Sequence, residues 1–468
     1  MREFVRHIHF VGIGGAGMSG IAEVLQQQGY QVSGSDLAQN AATNRLQQRG
    51  AQVMLGHAAD NVSGADVVVV STAVAENNVE ASAAKSQGIP VIPRAEMLGE
   101  LMRFGQGIAV AGTHGKTTTT SLVASILAQG GLDPTFIVGG LVNSIASNAR
   151  FGSGAFLVAE ADESDASFLH LQPRISVVTN IDADHMETYA GDFGRLRQTF
   201  AEFIHNLPFY GLAILCFDDP VVRELAPELH RQVVSYGTGA DVDFRAVDIR
   251  QSGRSMLFNV ERPEGDVLAV ELALPGFHNV LNAIAAIAVA SQLKVSDQDI
   301  VQALKSFSGI GRRMQGYGEI QLGQGVVELI DDYAHHPREL KATLAGAHGA
   351  WPERRIVSVF QPHRYSRTRD LFDDFAEFLS GVEPLVITEV YPAGEAPLTA
   401  ADGRALCRAI RTRGGSEPVF VERLDQLTDV LDSICRDGDI VLTLGAGDIG
   451  RYAARLAESR GRSREQVG

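Results

Sequence analysis

The chain is short of cysteine, of positive charge and of long apolar runs. Its three cysteines, Cys216, Cys407 and Cys435, are odd in number, far apart and outside any CxxC spacing. That argues against a disulfide framework or a thiolate metal site, and it fits buried thiols in a reducing compartment. Basic residues number 40 against 56 acidic ones, a formal net charge of -16. Such a surface repels phosphate backbones, so nucleic acid and anionic membranes are not expected partners. Any anionic ligand must be held by local charges and dipoles. No apolar stretch is long enough to span a bilayer, and the N-terminus enters a strand pattern without a leader, so a cytoplasmic protein is expected.

The 468 residues, 45% hydrophobic and 21% charged, suffice for two to four domains. Runs rich in β-branched residues at 7–13, 31–35 and 66–71 alternate with helical periodicity, as at 20–28. The pattern restarts at 107–111, with 155–160 and 175–180, and again after about residue 315, at 326–330, 355–360, 385–389 and 439–444. This alternation predicts parallel sheets. The expected fold is α/β in three domains, 1–103, 104–314 and 315–468. The first and third are expected to be Rossmann-like, and the second a P-loop domain with a mostly parallel sheet. The Arg-rich tail after Arg455 is expected to fray.

Glycines mark the strand ends. The cluster Gly12-Ile13-Gly14-Gly15-Ala16-Gly17 follows a strand and opens a helix, and Asp36 ends the next strand. Glycines there allow a pyrophosphate to approach the helix N-terminus, and the acid suits a ribose hydroxyl. NAD, another diphosphate nucleotide, or a ligand-free tight turn all satisfy the pattern. Gly445-Ala446-Gly447-Asp448-Ile449-Gly450 looks alike, but no later strand with an acidic end follows it, which favours a structural turn or a cleft wall. The main loop is Gly112-Thr113-His114-Gly115-Lys116-Thr117. Its N–H groups can cradle β- and γ-phosphates, Lys116 adds a point charge, and the Thr117 hydroxyl can ligate Mg²⁺. The helix begun by Thr117 and Thr118 favours the anion by its dipole. The strict P-loop pattern needs glycine where Val110 stands, so the loop is a shortened variant.

Polar clusters follow other strands. Glu160 starts the acidic run Glu160-Ala161-Asp162-Glu163-Ser164-Asp165, and Asp184-His185 follows Asn180; a metal ligand set or solvated turns would both fit. His278, Asn279 and Asn282 open a long apolar helix, the asparagines on one face. They suit adenine or phosphate, or simple capping. Asp331-Asp332-Tyr333-Ala334-His335-His336 follows another strand. Arg364 and Arg367, three apart, suit a carboxylate or phosphate clamp.

Together these motifs resemble the Mur ligases, and within them the member that adds the first amino acid. The resemblance is carried by GIGGAGMSG (12–20), AGTHGKTTTT (111–120), AEADESDASF (159–168), DADHMETY (182–189), HNVLNA (278–283), GRRMQ (311–315), DDYAHHP (331–337) and FQPHRYSRTRDLF (360–372). They span all three expected domains in family order. The resemblance implies UDP, not NAD, at Gly14, Gly15, Ala16, Gly17, Met18 and Asp36, with Ser71, Thr72, Asn180 and His185 on the substrate side. It implies ATP at Gly112, Thr113, His114, Gly115, Lys116, Thr117 and Thr118, with Mg²⁺ near Thr117, Glu160 and His185. His278, Asn279 and Asn282 look like adenine and phosphate contacts, Arg313 and Asp332 like residues that close over ATP. His335, Arg364 and Arg367 look like the alanine and acyl-phosphate side, His335 being one candidate base. The substrates so implied are UDP-N-acetylmuramate and L-alanine; a recycled murein tripeptide in place of alanine is the alternative. A monomer or weak homodimer is expected. Several relatives carry a carbamylated lysine in the central domain, but this chain has no lysine between Lys116 and Lys294. Glu202 is the expected substitute.

Overall fold

The computed structural model describes residues 1, 3–71, 74–75, 77–143 and 147–461. Thr72, expected at the substrate site, and residues 462–468 lie outside that set. Among the described residues no helix is long and apolar enough to cross a membrane.

Three sheets organise an α/β fold. The first runs Gln52–Leu55, Gln31–Asp36, His7–Val11, Val67–Val70, Val91–Pro93 in spatial order, all parallel. Its central strand His7–Val11 is buried along its whole length, and Val67–Val70 beside it is all valine, as suits strands covered on both faces. The order reverses at His7–Val11, so the glycine cluster leaves the sheet at the switch point where such folds bind ligands. The expected strand 7–13 ends earlier, because Gly12 turns the chain at φ 78°. The helix then starts at Ala16, four residues before the expected 20.

The second sheet has ten strands. At its centre Gln106–Ala111 lies between Ile175–Val178 and Phe156–Glu160, all parallel. That register brings the main loop, the acidic run and the Asn180–Asp182 segment to one edge. The hairpin Thr135–Val142/Ser147–Arg150 and the strands Gln232–Gly237, Phe244–Ser252, Ser255–Glu261 and Leu268–Leu272 enlarge the sheet beyond the sequence expectation. The third sheet runs Gln315–Leu322, Gly325–Asp332, Ile440–Leu444, Ile356–Phe360, Leu385–Thr388, Val419–Val421, with only the first strand antiparallel. Asp331 and Asp332, expected just past a strand, are its last two residues, both buried.

By compactness the chain forms two units. One comprises Met1–Ile249, Phe258–Leu272 and Asn279–Ser308, the other Arg250–Leu257, Ala273–His278 and Gly309–Gly468. In the first, Phe168 stacks on Phe203 at 4.8 Å and meets Phe200 edge-on at 5.2 Å. Each such pair adds about 1 kcal/mol beyond burial, and together they pin the acidic run to the helix Phe193–His205. That helix buries Leu196, Phe200, Phe203 and Ile204. Glu202 falls on the opposite face, exposed and hydrogen-bonded to Gln198 at 3.0 Å. It therefore does not substitute for the carbamylated lysine. The helix Ile449–Arg460 also continues past Arg455, where fraying was expected, because Leu456 packs into the core.

Beneath the first glycine turn lies a buried polar network. Glu80, fully buried, accepts from Ser35 Oγ at 2.5 Å, Asn61 Nδ2 at 2.5 Å and the Ala58 N–H at 3.3 Å; His57 Nδ1 is at 3.2 Å and His9 Nε2 at 3.7 Å. Burial alone would raise its pKa, but His9, Ser35 and Asn61 favour the carboxylate and hold it at about 2. A depressed carboxylate pKa stabilises the fold above its ordinary value near 4.5, and that stabilisation is lost as pH falls towards about 2. Glu80→Gln lacks this component. In thermal melts the deficit of the variant is expected to be large at pH 6 and to shrink steadily below pH 4.5. A deficit that stays constant with pH would contradict the account.

Candidate nucleotide and ligation site

Two glycine-bounded turns define the site in the first unit. In the first, the N–H groups of Gly12 and Ile13 donate to Ser35 O at 2.8 and 3.0 Å, and the Gly14 N–H donates to Asp36 Oδ2 at 2.8 Å. Asp36, expected at a ribose, thus also holds the turn. Gly15 caps the helix Ala16–Gln27 without any side-chain cap, so the first helical N–H groups stay open to an anion.

The main loop is fixed from beneath by Thr179 and Asn180. Thr179 Oγ1 donates to His114 O at 2.6 Å. The Asn180 amide spans His114, accepting from its N–H at 2.8 Å and donating to its carbonyl at 3.0 Å. Thr113 Oγ1 accepts from the Asp182 N–H at 2.9 Å, and His114 Nε2 lies 3.2 Å from Asp182 Oδ2. Asn180, expected on the substrate side, is therefore bonded to the loop. Asn282 is bonded to the helix Lys116–Gln129 that the loop opens: it accepts from Thr119 Oγ1 at 3.2 Å and donates to Asn279 Oδ1 at 3.2 Å.

Lys116 Nζ donates to Gly112 O at 2.7 Å and Thr113 O at 3.2 Å, and to both oxygens of Glu163 at 2.9 and 2.7 Å. Burial works against the ammonium, but Glu163, Asp162 and Glu160 raise its pKa above the usual lysine value. Burial pushes the Glu163 carboxyl up, against the pull of Lys116. Burial likewise raises Glu160, against the Gly139 N–H at 2.6 Å, the Thr117 hydroxyl and Lys116. The structure thus brings together Thr117 and Glu160, two of the three expected metal ligands. His185 sits on the neighbouring loop at φ 54°, its Nε2 3.6 Å from Asp184 Oδ2. Glu163 belongs to the acidic run, yet its partnership with Lys116 had no signature in the sequence.

A cavity of about 310 Å³ opens between the first glycine turn and the acidic run. Gly15, Ala16, Gly17, Met18 and Ser71 line it, with Glu160, Asp162 and Arg94. Arg94, unremarkable in the sequence, is the first residue of the helix Arg94–Met102.

The second unit carries the remaining residues. Asp332 accepts from the Met314 N–H at 2.8 Å and the Ala334 N–H at 2.9 Å, so it braces the turn that bears Arg313. Burial raises its pKa, against the pull of Arg313. Arg313 lies over the Tyr333 ring at 5.1 Å. His278 Nδ1 is buried with no hydrogen-bond partner among the described residues, and burial together with Arg313 lowers the ring to about 4. His335 Nδ1 lies 3.0 Å from Tyr333 O and 3.1 Å from Glu339. Its ring faces His363 at 5.8 Å, and His363 stacks on Tyr391 at 5.5 Å. Arg367 Nη1 is 3.4 Å from His363 Nδ1, and Arg364, at φ 67°, lies 3.9 Å from Glu395. Burial, then His335 and the arginines, hold His363 neutral at about 3. His363, Tyr391 and Glu395 were given no role from sequence; the arginine pair was the nearest signal.

At Gly445–Gly450 a side chain of the same chain fills the turn. Arg312 Nη2 donates to Gly445 O at 2.5 Å, and Nη1 lies 3.4 and 3.3 Å from Ala446 O and Gly447 O. A Cβ on Gly450 would come within 2.2 Å of that guanidinium. The turn is structural, one of the two readings expected of it.

The chain matches three descriptions in succession: Mur ligase family, catalytic domain (7–106), Mur ligase middle domain (110–290), and Mur ligase, glutamate ligase domain (312–447). It is 60% identical over 467 residues to the UDP-N-acetylmuramate–L-alanine ligase of Aromatoleum aromaticum, covering 98% of this chain and 99% of the relative. It is 58% identical to the ligase of the same name from Paraburkholderia xenovorans, covering 98% and 99%. The crystal structure of the UDP-N-acetylmuramate–alanine ligase of Thermotoga maritima superposes with a TM-score of 0.81 at 31% identity, covering 97% of this chain and 98% of that one.

Proposed function

The chain belongs to the Mur ligase family, and on that premise we propose that it joins L-alanine to the lactyl carboxylate of UDP-N-acetylmuramate, converting ATP to ADP and phosphate. The observation that carries this is the 60% identity to an alanine-adding ligase over nearly the whole of both chains. The reaction belongs to peptidoglycan precursor synthesis, and its substrates suit a cytoplasmic enzyme, monomeric or weakly dimeric. The proposed domains are 1–103, 104–314 and 315–468.

The lactyl carboxylate attacks the γ-phosphorus of ATP in line; the bond to the β,γ-bridging oxygen breaks, and ADP leaves. The alanine amine, having lost its proton, attacks the acyl carbon of the acyl phosphate, and phosphate departs as the amide forms. Lys116 meets the charge on the transferring group, and the loop Gly112–Thr118 orients the triphosphate through its N–H groups from Gly115 onward, those of Thr113 and His114 being held by Asn180. Thr117 and Glu160, with His185, are the proposed holders of Mg²⁺. A hydroxyl already bonded to a buried carboxylate is a hard-oxygen donor set that fits this ion, which supplies neutralisation of phosphate charge when bound. His278, Asn279, Asn282, Arg313 and Asp332 are assigned to the nucleotide side. The first glycine turn, Asp36, Ser71, Thr72, Asn180 and His185 are assigned to the sugar nucleotide. Arg364 and Arg367 suit alanine's carboxylate and the acyl phosphate, and His335 remains the candidate base. Its Nδ1 is engaged by the Tyr333 carbonyl and Glu339, which leaves Nε2 for the proton.

Steady-state ADP release is expected to require both UDP-N-acetylmuramate and L-alanine. Turnover with murein tripeptide but not with alanine would overturn the assignment.

A further inference from the structure

The strands Phe244–Ser252 and Ser255–Glu261 are neighbours in the second sheet, joined by Gly253 and Arg254 alone, with Gly253 at φ 55°. The tip of this pair, Arg250–Leu257, belongs to the second unit. Its anchors there are polar. Gln251 Nε2 donates to Gly253 O at 3.1 Å and to Gly346 O, in the helix Pro337–Ala350, at 2.8 Å. Arg254 Nη2 donates to Met314 O at 2.9 Å. The same guanidinium lies over the Trp351 ring at 5.7 Å, and a Cβ on Gly316 would come within 3.0 Å of its Nη1. An arginine in an exposed turn ordinarily keeps its head in water. This one is committed to a carbonyl and an aromatic face.

The carbonyl belongs to the turn that carries Arg313. Arg312 and Met314, on either side of Arg313, have φ of 61° and 45°. Neither is glycine, so both occupy a left-handed region that costs free energy and persists only where the surroundings over-determine it. The constraints are visible. Gln315 Oε1 accepts from the Arg312 N–H at 2.7 Å, and Arg312 O accepts from the Tyr333 N–H at 2.7 Å. Asp332 takes the Met314 N–H, and Arg254 supplies the donor for the Met314 carbonyl. Met314 is buried in the core against which Trp351 packs.

We propose that Arg254 is a positioning residue for ATP: it fixes the turn at 312–314 through the Met314 carbonyl, and so aims Arg313 at the nucleotide. The inference rests on the ATP reading of Arg313 above and adds the residue that sets its geometry. Arg254 itself touches no ligand. By linkage, a contact that favours the nucleotide-competent turn is favoured in return by the nucleotide. The chain's one tryptophan, Trp351, lies under that contact and reports on it.

Steady-state kinetics and fluorescence of the full chain test this. Arg254→Met is expected to raise KM for ATP by about 10-fold and to leave KM for UDP-N-acetylmuramate unchanged. In an Arg313→Met background the same substitution should add no further rise, since its effect runs through Arg313. In the wild type, where no folding defect can intervene, ATP without the other substrates should reduce the quenching of Trp351 by acrylamide. In Arg254→Met that protection should be lost. A lower melting temperature with unchanged KM for ATP would make Arg254 a structural anchor only and overturn the proposal. So would a further rise of the same size in the Arg313→Met background, an equal rise in both KM values, quenching that ATP leaves unaltered in the wild type, or protection that survives in Arg254→Met. A wild type that forms no ADP with ATP, UDP-N-acetylmuramate and L-alanine together would instead overturn the functional reading.

Discussion

Lys116→Ala is expected to lower ADP formation by about 10³-fold or more while binding of the UDP substrate persists. The ammonium donates to the loop carbonyls of Gly112 and Thr113, and Lys116 is the one lysine or arginine between Gly112 and Thr117, so it is the loop's fixed positive charge for the transferring phosphoryl group. The substitution has a structural side as well. It leaves Glu163, whose side chain is 3% exposed, without its bidentate partner, and breaking a buried pair from one side costs about 3 kcal/mol. The two effects separate in the double variant Lys116→Met with Glu163→Gln. Thermal melting should recover towards wild type, because no charge is left buried alone, whereas ADP release should stay as low as in Lys116→Ala. Recovery of turnover in the double variant would mean that the lysine serves the fold and not the chemistry.

The second large effect is expected at Gly112. Its φ is 130°, and a Cβ there would stand 2.0 Å from Thr179 Oγ1 and 3.1 Å from the backbone N and O of Asn180. Those are the residues that hold the loop. Gly112→Ala must displace Thr179 and, with it, the bond to His114 O, so the whole cradle moves. A fall of about 100-fold or more in kcat/KM for ATP is expected, with far-UV circular dichroism retained. Gly131→Ala is the control: its φ is 74°, yet nothing lies within 4 Å of an added Cβ. It should show only a small loss of stability, about 1 kcal/mol, and normal kinetics. Equal kinetics in the two variants would show that the Thr179–Asn180 support does not set the loop.

The parallel strands were legible because valine-rich runs ending in glycine or acid have few other uses. The hairpin Thr135–Val142/Ser147–Arg150 was not: its glycines and polar residues make sense only against the strand Phe156–Glu160 and the helix Ala16–Gln27. The misreading of Glu202 is different, since the phase was available. Leu196, Phe200 and Phe203 already mark the inner face at helical spacing, and position 202 lies off it. The charged residues of the site were visible one by one. Their pairing was not, because Lys116 with Glu163, and Arg94 with Gly17, join segments that only the folded sheets bring together.

Arg312 has a consequence for how glycine-rich turns are read. The turn at 12–17 offers N–H groups, and so suits an anion. The turn at 445–450 offers the carbonyls of Gly445, Ala446 and Gly447, and these receive a guanidinium from the same chain. The spelling of the two turns is nearly identical, and each uses both kinds of peptide group (Gly14 O accepts from Asn40 Nδ2, and the Ile449 N–H donates to Gln361 Oε1), but the second turns three successive carbonyls to a guanidinium. The second is a cation seat already filled from within, so the protein is its own occupant there, and a turn of this spelling reveals its guest only once the direction of its peptide groups is known.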